Sequence, residues 1–189
     1  GEPEKLVQSY LAASDDNNAT FQVLKEAFGG QAFYTPAHKI PFSSKRKWGC
    51  ISFAGSGSVF VGAPEKLMRK LPGELEQRLE EGCRVIIVGY VPMQWEDEAA
   101  LPEEIQPLYG VVLEDTIREN TRETLEFFHR EGVDVKVISG DHVKTVSMIA
   151  KRAGLHRWKD AVDLSTLGED IDYEQICQQY AVFARVTPG

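Results

Sequence analysis

The hydrophobic pattern changes period just past the middle of this sequence, and that change decides the architecture. Val111-Val112-Leu113 is a short apolar run that ends in Glu114-Asp115-Thr116. Ile117, Thr121, Thr124, Leu125 and Phe128 then fall on one helical face, with Gly132 as the stop. Val133 to Ile138 repeats the run and ends in Ser139-Gly140-Asp141. Val143, Val146, Ile149, Ala150 and Ala153 follow at helical spacing, with Gly154 as the stop. Strand, helix, strand, helix with short connections predicts a parallel sheet with right-handed crossovers. Ile171 to Tyr180 reads as a further helix and Ala181 to Val186 as a further strand.

Before about Gln106 the pattern is different and reads as antiparallel. Leu6, Tyr10 and Leu11, then Val23, Leu24, Ala27 and Phe28, mark two helices over Lys5 to Ala13 and Ala19 to Phe28. Asp15-Asp16-Asn17-Asn18 separates them, and Gly29-Gly30 stops the second. Trp48 to Ala54 and Ser58 to Val61 are strands joined by Gly55-Ser56-Gly57, a hairpin signal. Gly62-Ala63-Pro64-Glu65 turns the chain into a short helix, with Pro64 suited to the first helical position. Glu74 to Glu81 is a helix ending at Gly82, and Arg84 to Tyr90 is a strand with the buried run Val85 to Val88. Pro92 to Pro107 is rich in proline and acid and reads as a loop with a domain boundary at its end.

Charge narrows the function classes. The 189 residues carry 21 Lys and Arg against 29 Asp and Glu, a net charge of −8. That argues against duplex nucleic acid or an anionic membrane surface as the main partner. The longest apolar stretch, Val85 to Met93, contains glycine and proline and is well short of the roughly 20 residues of a membrane helix. No signal-peptide pattern opens the chain. Cys50, Cys83 and Cys177 are odd in number, form no CxxC pair, and point to a reducing compartment.

Several residues stand where chemistry is done. In parallel sheets, ligands bind beyond the carboxyl ends of the strands. Asp115, Asp141 and Arg185 all sit there. Asp141 alone reads first as a helix N-cap, and Asp115 with Arg118 as a capping pair. The functional reading is a set of carboxylates, backbone amides and a guanidinium around a phosphate and its Mg²⁺. In the first half, Phe42-Ser43-Ser44-Lys45-Arg46-Lys47-Trp48 is a basic cluster between aromatics in an acidic chain. It reads either as a solvated loop entering a strand or as a nucleotide pocket, an aromatic face for the base with lysine for the phosphates. His38, His129, His142 and His156 have no metal spacing and read as surface or cap residues, and Cys50 as core.

Taken in order, these segments resemble the cytoplasmic part of the P-type ATPases, cation pumps phosphorylated on an aspartate. Phe42 to Lys47 resembles the family's FS-x-x-RK segment, and Gly62 to Glu65 the GAPE of its KGAPE motif. Arg84 with Val85 to Val88 resembles the arginine and strand that follow. Leu113 to Arg118 is similar to the D-P-P-R region, Ile138 to Asp141 with Thr145 to M-I-T-G-D, and Val182 to Pro188 to FARVSP. Any one of these is weak; six in the right order are a specific signal.

The resemblance implies a fold of two joined parts. One is an α+β, antiparallel-sheet nucleotide-binding domain over residues 1–107. The other is an incomplete α/β, haloacid-dehalogenase-like, Rossmann-type phosphorylation domain over residues 108–189. By matching positions, Phe42 stacks on adenine and Lys47 and Arg84 hold the nucleotide, with Ser43, Gly62, Ala63 and Ile86 in the same site. Asp115, Ser139, Gly140, Asp141 and Arg185 surround the transferred phosphate. The cofactors implied are ATP and Mg²⁺, the latter's ligands mostly outside this chain. The partners implied are a transported cation, reached through the membrane part, and the rest of the pump, with no nucleic acid. The parent would be a multi-pass protein of the cell membrane with this segment on the cytoplasmic side.

The departures from the family pattern are equally definite. No DKTGT motif, no GDGVND motif and no membrane helix occurs in the sequence. The expectation is therefore an ATP-binding piece that presents ATP to an aspartate it does not contain, and that is inactive in turnover alone. Val61 stands where the family has the KGAPE lysine, and Phe21 where many members have an acidic adenine contact. Ser139 replaces the usual threonine, and Thr116 and Ile117 replace the two prolines. The His-Pro signature of the heavy-metal branch is absent. Two other readings stay open. One is a soluble haloacid-dehalogenase-like phosphatase with a cap domain, for which Asp170 and Asp172 have the required spacing. The other is a non-catalytic nucleotide-binding module.

Overall fold

The computed structural model describes residues 1–80, 84–113 and 121–186. Helices α1 (Glu2–Ala13) and α2 (Ala19–Phe28) lead into strands β1 (Pro36–Ser43), β2 (Trp48–Phe53) and β3 (Gly57–Gly62). The short α3 (Pro64–Leu67) and α4 (Gly73–Glu80) precede β4 (Val85–Val91) and β5 (Gln106–Leu113). Then come α5 (Thr121–Arg130), β6 (Asp134–Ile138), α6 (Val143–Arg152), β7 (Ala161–Asp163), α7 (Tyr173–Gln179) and β8 (Val182–Ala184).

All eight strands form one sheet in the order β1-β2-β3-β4-β5-β6-β8-β7. The first five are antiparallel to their neighbours, and β5, β6, β8 and β7 are parallel. The change of period in the sequence is thus a change of pairing, and β5 carries it. β5 pairs antiparallel with β4 through Val85↔Val112 and parallel with β6 through Leu113↔Ile138. The strand expected at Val111–Leu113 is longer, and it starts inside the segment expected to be a loop, at Gln106. The alternation of the strands explains the layers, because successive side chains point to opposite faces. Ile51, Phe53, Val59, Val61, Val88 and Phe183 pack with α1, α2 and α7 on one face. Trp48, Cys50, Phe60 and Ile87 pack with α3, α4, α5 and α6 on the other. Both faces are covered, which is why β2 and β3 are buried at every position and read as apolar runs.

β1 and β7 are strands that the sequence reading lacks. β1 is an edge strand with Pro36 and Pro41 and mostly exposed residues, so it has no apolar run to announce it. β7 is three residues long at the opposite edge. Lys136 is the other surprise, a lysine on β6 with its side chain wholly buried. Its Nζ donates to the carbonyls of Cys177 and, at 2.8 Å, Tyr180. It also lies 3.4 Å from Asp134 Oδ2. A cation at the end of a helix satisfies the last, unpaired carbonyls of α7. No helix among the described residues is long and apolar enough to cross a membrane.

Candidate functional site

A cavity of about 430 Å³ opens at the ends of β1 to β4, beside the start of α2. Asn18 caps α2, its side-chain oxygen accepting from the Phe21 N–H at 3.1 Å. That cap places Thr20 and Phe21 on the rim. Phe42, near the end of β1, meets Phe21 edge to face with ring centroids 6.1 Å apart. Ser43 then folds the turn. Its hydroxyl accepts from the Lys45 and Arg46 amides, each at 3.2 Å. The turn ends at Lys47 in the left-handed region, with φ 66°. Its carbonyl accepts from Ala63 N–H at 3.0 Å, tying the turn to the end of β3.

Gly62 pairs with Trp48 in the β2–β3 ladder. A Cβ there would stand 2.5 Å from the Lys47 carbonyl oxygen and 2.7 Å from Trp48 Cβ, so the strands can approach this closely only at glycine. Pro64 and Glu65 open α3. Glu65 Oε1 lies 3.6 Å from Lys47 Nζ. Arg84 enters from just before β4, and its guanidinium donates to the Thr20 hydroxyl. Ile86, Val61, Val85 and Leu79 supply apolar wall.

Of the residues expected at a nucleotide, the structure therefore brings Phe42, Lys47, Gly62, Ala63, Arg84 and Ile86 to one cavity. Ser43 is not on its wall; it shapes the turn that delivers Lys47. Asn18, Thr20 and Glu65 line it as well. The sequence reading placed Asn18 only in the segment between two helices; the cap it makes and its position over the sheet come from the structure. The cavity can hold a planar aromatic group against Phe42 and an anionic tail at Lys47 and Arg84.

A second cluster forms where β6 and β8 end side by side. Ser139 is buried, and its hydroxyl accepts from Asp141 N–H at 3.0 Å. Arg185 follows β8 with φ 59°, and its N–H donates to the Asp141 carbonyl at 3.1 Å. Val186 N–H donates to the Ser139 carbonyl at 2.9 Å. At Gly140 a Cβ would come 3.3 Å from the Val186 carbonyl oxygen. Ser139, Gly140, Asp141 and Arg185 are thus brought together, as expected from their strand-end positions. Asp115 lies outside the described residues. The N-cap position of α6 belongs to His142, not Asp141. Among the described residues, the Asp141 carboxylate accepts only from the neighbouring His142 amide, at 2.7 Å, and it is exposed.

Asp163, at the end of β7, is a neighbour that the sequence did not announce. The Ser165 hydroxyl holds its carboxyl below the usual range, with smaller help from Arg185 and His142. The other histidines hold a surprise too. The rings of His129 and His156 stack with centroids 3.6 Å apart, rather than standing as separate surface groups. Burial, then the neighbouring His156, pushes His129 below its ordinary value. Among the described residues, no group of three or more His, Cys, Asp or Glu is placed to hold a metal. Burial pushes the Cys50 thiol up to about 12 and the Cys177 thiol up to about 11, so neither is a nucleophile. A wider groove of about 920 Å³ lies between the residues after α3 and the 101–107 segment, and none of the expected residues lines it.

No protein-family model matches the chain. Over 184 residues it is 36% identical to a probable cation-transporting ATPase, exp7, of Streptococcus pneumoniae serotype 4, covering 97% of this chain and 24% of that protein. Over 191 residues it is 37% identical to the calcium-transporting ATPase CtpE of Mycobacterium bovis, covering 96% and 23%. Over 173 residues it is 32% identical to a probable cation-transporting P-type ATPase of Mycoplasma pneumoniae, covering 82% and 19%. The chain spans about a quarter of the length of the first of these curated relatives. Along nearly all of its own length, then, this chain is homologous to one segment of the P-type cation-transporting ATPases.

Proposed function

We propose that the chain is the ATP-binding part of a cation-transporting P-type ATPase. In this reading, residues 1–107 bind the nucleotide and residues 108–189 form part of the phosphorylation domain, of haloacid-dehalogenase-like Rossmann type. The pump sits in the cell membrane, with this segment on the cytoplasmic side. The observation that carries the reading is the cavity beside α2. It gathers Phe42, Lys47, Gly62, Ala63, Arg84 and Ile86, six of the residues marked by the family resemblance. Adenine would stack on Phe42, and the phosphates would reach toward Lys47 and Arg84. Val61, in place of a lysine, leaves that wall apolar.

Phosphoryl transfer depends mostly on positioning and charge neutralisation. Ser139, Gly140 and Asp141, held against Arg185 by the backbone bonds between the ends of β6 and β8, would orient and neutralise the transferred phosphate. The accepting aspartate lies outside this chain. Mg²⁺ would neutralise phosphate charge, with its protein ligands mostly in the remainder of the pump. The phosphatase alternative receives no support: Asp172 caps α7, accepting from Gln175 N–H at 3.2 Å, and Asp170 is an exposed loop residue.

The test is a calorimetric titration of the chain with ATP, ADP and GTP, with and without Mg²⁺, beside Phe42→Ala. Adenine-selective binding that survives without Mg²⁺ is expected. Base–aromatic stacking is worth ~1–3 kcal/mol, so Phe42→Ala should weaken affinity roughly fivefold to a hundredfold. No binding at millimolar ATP, or binding indifferent to Phe42, would refute the proposal.

A further inference from the structure

Among the described residues lining the cavity, Glu65 is the single carboxylate, and it stands against one of the two cations there. Its side chain is 11% exposed, whereas that of Lys47 is 46% exposed. The carboxylate is therefore largely shielded from water, while the lysine side chain is about half exposed. The backbone holds the two in this relation. Lys47 carbonyl accepts from Ala63 N–H, Trp48 pairs with Gly62, and Pro64 fixes the first turn of α3. These contacts fix where the two side chains leave the backbone. An anion bound at Lys47 therefore lies close to the Glu65 carboxylate, and like charges repel in proportion to their size.

Resting on the nucleotide reading above, we infer that Glu65 is a specificity-determining residue that weakens the cavity's hold on phosphate groups in proportion to their charge. The ring end of the ligand, against Phe42 and the apolar wall, does not feel it. Binding is thereby shifted from the phosphates to the base, and the phosphate tail stays loosely held. A loosely held tail suits a site that must release its terminal phosphate toward a different part of the molecule. The contrary view is that Glu65 merely tethers Lys47. The two differ in sign: removing a tether weakens phosphate binding, and removing a repulsive charge strengthens it.

The experiment titrates adenosine, AMP, ADP and ATP without Mg²⁺ into the wild-type chain and Glu65→Gln, with Glu65→Ala as a second variant and thermal melts as fold controls. Adenosine should bind wild type and variants alike. Each added phosphate should favour the variants by a further factor of about two to four, the size of one partly exposed charge contact. The gain should shrink as salt is raised, because the Debye length falls from about 10 Å at 0.1 M toward 3 Å at 1 M. Unchanged or weaker ATP binding in both variants would overturn the inference, and so would an equal gain for adenosine. A wild-type chain that binds no adenine ligand would refute the proposed function and this inference with it. A wild-type chain that binds ATP over GTP, with variants showing no charge-graded gain, would overturn this inference alone.

Discussion

Two glycines of the same hairpin separate steric need from conformational need. Gly62 has ordinary backbone angles but no room, and Gly55 has room but a left-handed backbone. A Cβ at Gly62 would lie 2.5 Å from the Lys47 carbonyl oxygen and 2.7 and 2.8 Å from Trp48 Cβ and Cα. These are backbone and near-backbone atoms, so no side-chain rotation relieves them. The strand ends must part by nearly an ångström to restore ordinary contact, which costs about 1–3 kcal/mol. Parting them also breaks the Ala63 N–H to Lys47 carbonyl bond, worth about 1 kcal/mol more. At Gly55, with φ +72° and nothing within 4 Å, alanine costs about 1 kcal/mol from backbone strain alone. A domain of this size loses about 2–4 °C per kcal/mol. Gly62→Ala should therefore melt about 4–16 °C below wild type, and Gly55→Ala only about 2–4 °C below. Differential scanning calorimetry reads both. Because Gly62 lines the cavity, its variant should also lose ATP binding while Gly55→Ala keeps it. A Gly62→Ala melting temperature equal to that of Gly55→Ala would refute the steric argument.

Lys136→Met removes a charge from the core but orphans the Cys177 and Tyr180 carbonyls. Two unpaired buried acceptors cost about 1–3 kcal/mol each. Avoiding the burial of a charge offsets part of that. A net loss of about 2 kcal/mol is expected in urea titrations, and a neutral or stabilising effect would contradict the helix-end role. The His129–His156 stack supplies a pH test. Because the folded-state pKa of His129 is lowered, the unfolded chain takes up the proton first as pH falls. The stability that the neutral ring contributes is present above the ordinary histidine value and is lost as pH falls through the lowered one. Wild type should lose stability between pH 7 and pH 5 more steeply than His129→Gln, and parallel melting curves would contradict this.

The sequence by itself determined where the chain is antiparallel and where it is parallel. Hairpin glycines at Gly55 and Gly57 are local signals, as are helix stops at Gly29, Gly132 and Gly154, all five with positive φ. Period and turn chemistry need only a few neighbouring residues to act, so they can be read in one dimension. The residues at the ends of β6 and β8 were legible for the same reason, since the end of a parallel strand is a position that a strand–helix pattern defines. Tertiary structure alone decided the rest. β1 has proline and exposed polar positions, and it is a strand only because β2 offers an unpaired edge. Lys136 is a core residue only because the carbonyls of a helix some 40 residues later arrive to satisfy it. The cavity needs α2 laid beside the ends of β1 to β4, which brings Thr20 to Arg84 and Phe21 to Phe42. The pairing of Glu65 with Lys47 depends on the register that sets Gly62 against Trp48. Contacts of that kind join residues far apart in the chain, and no local rule of spacing encodes them.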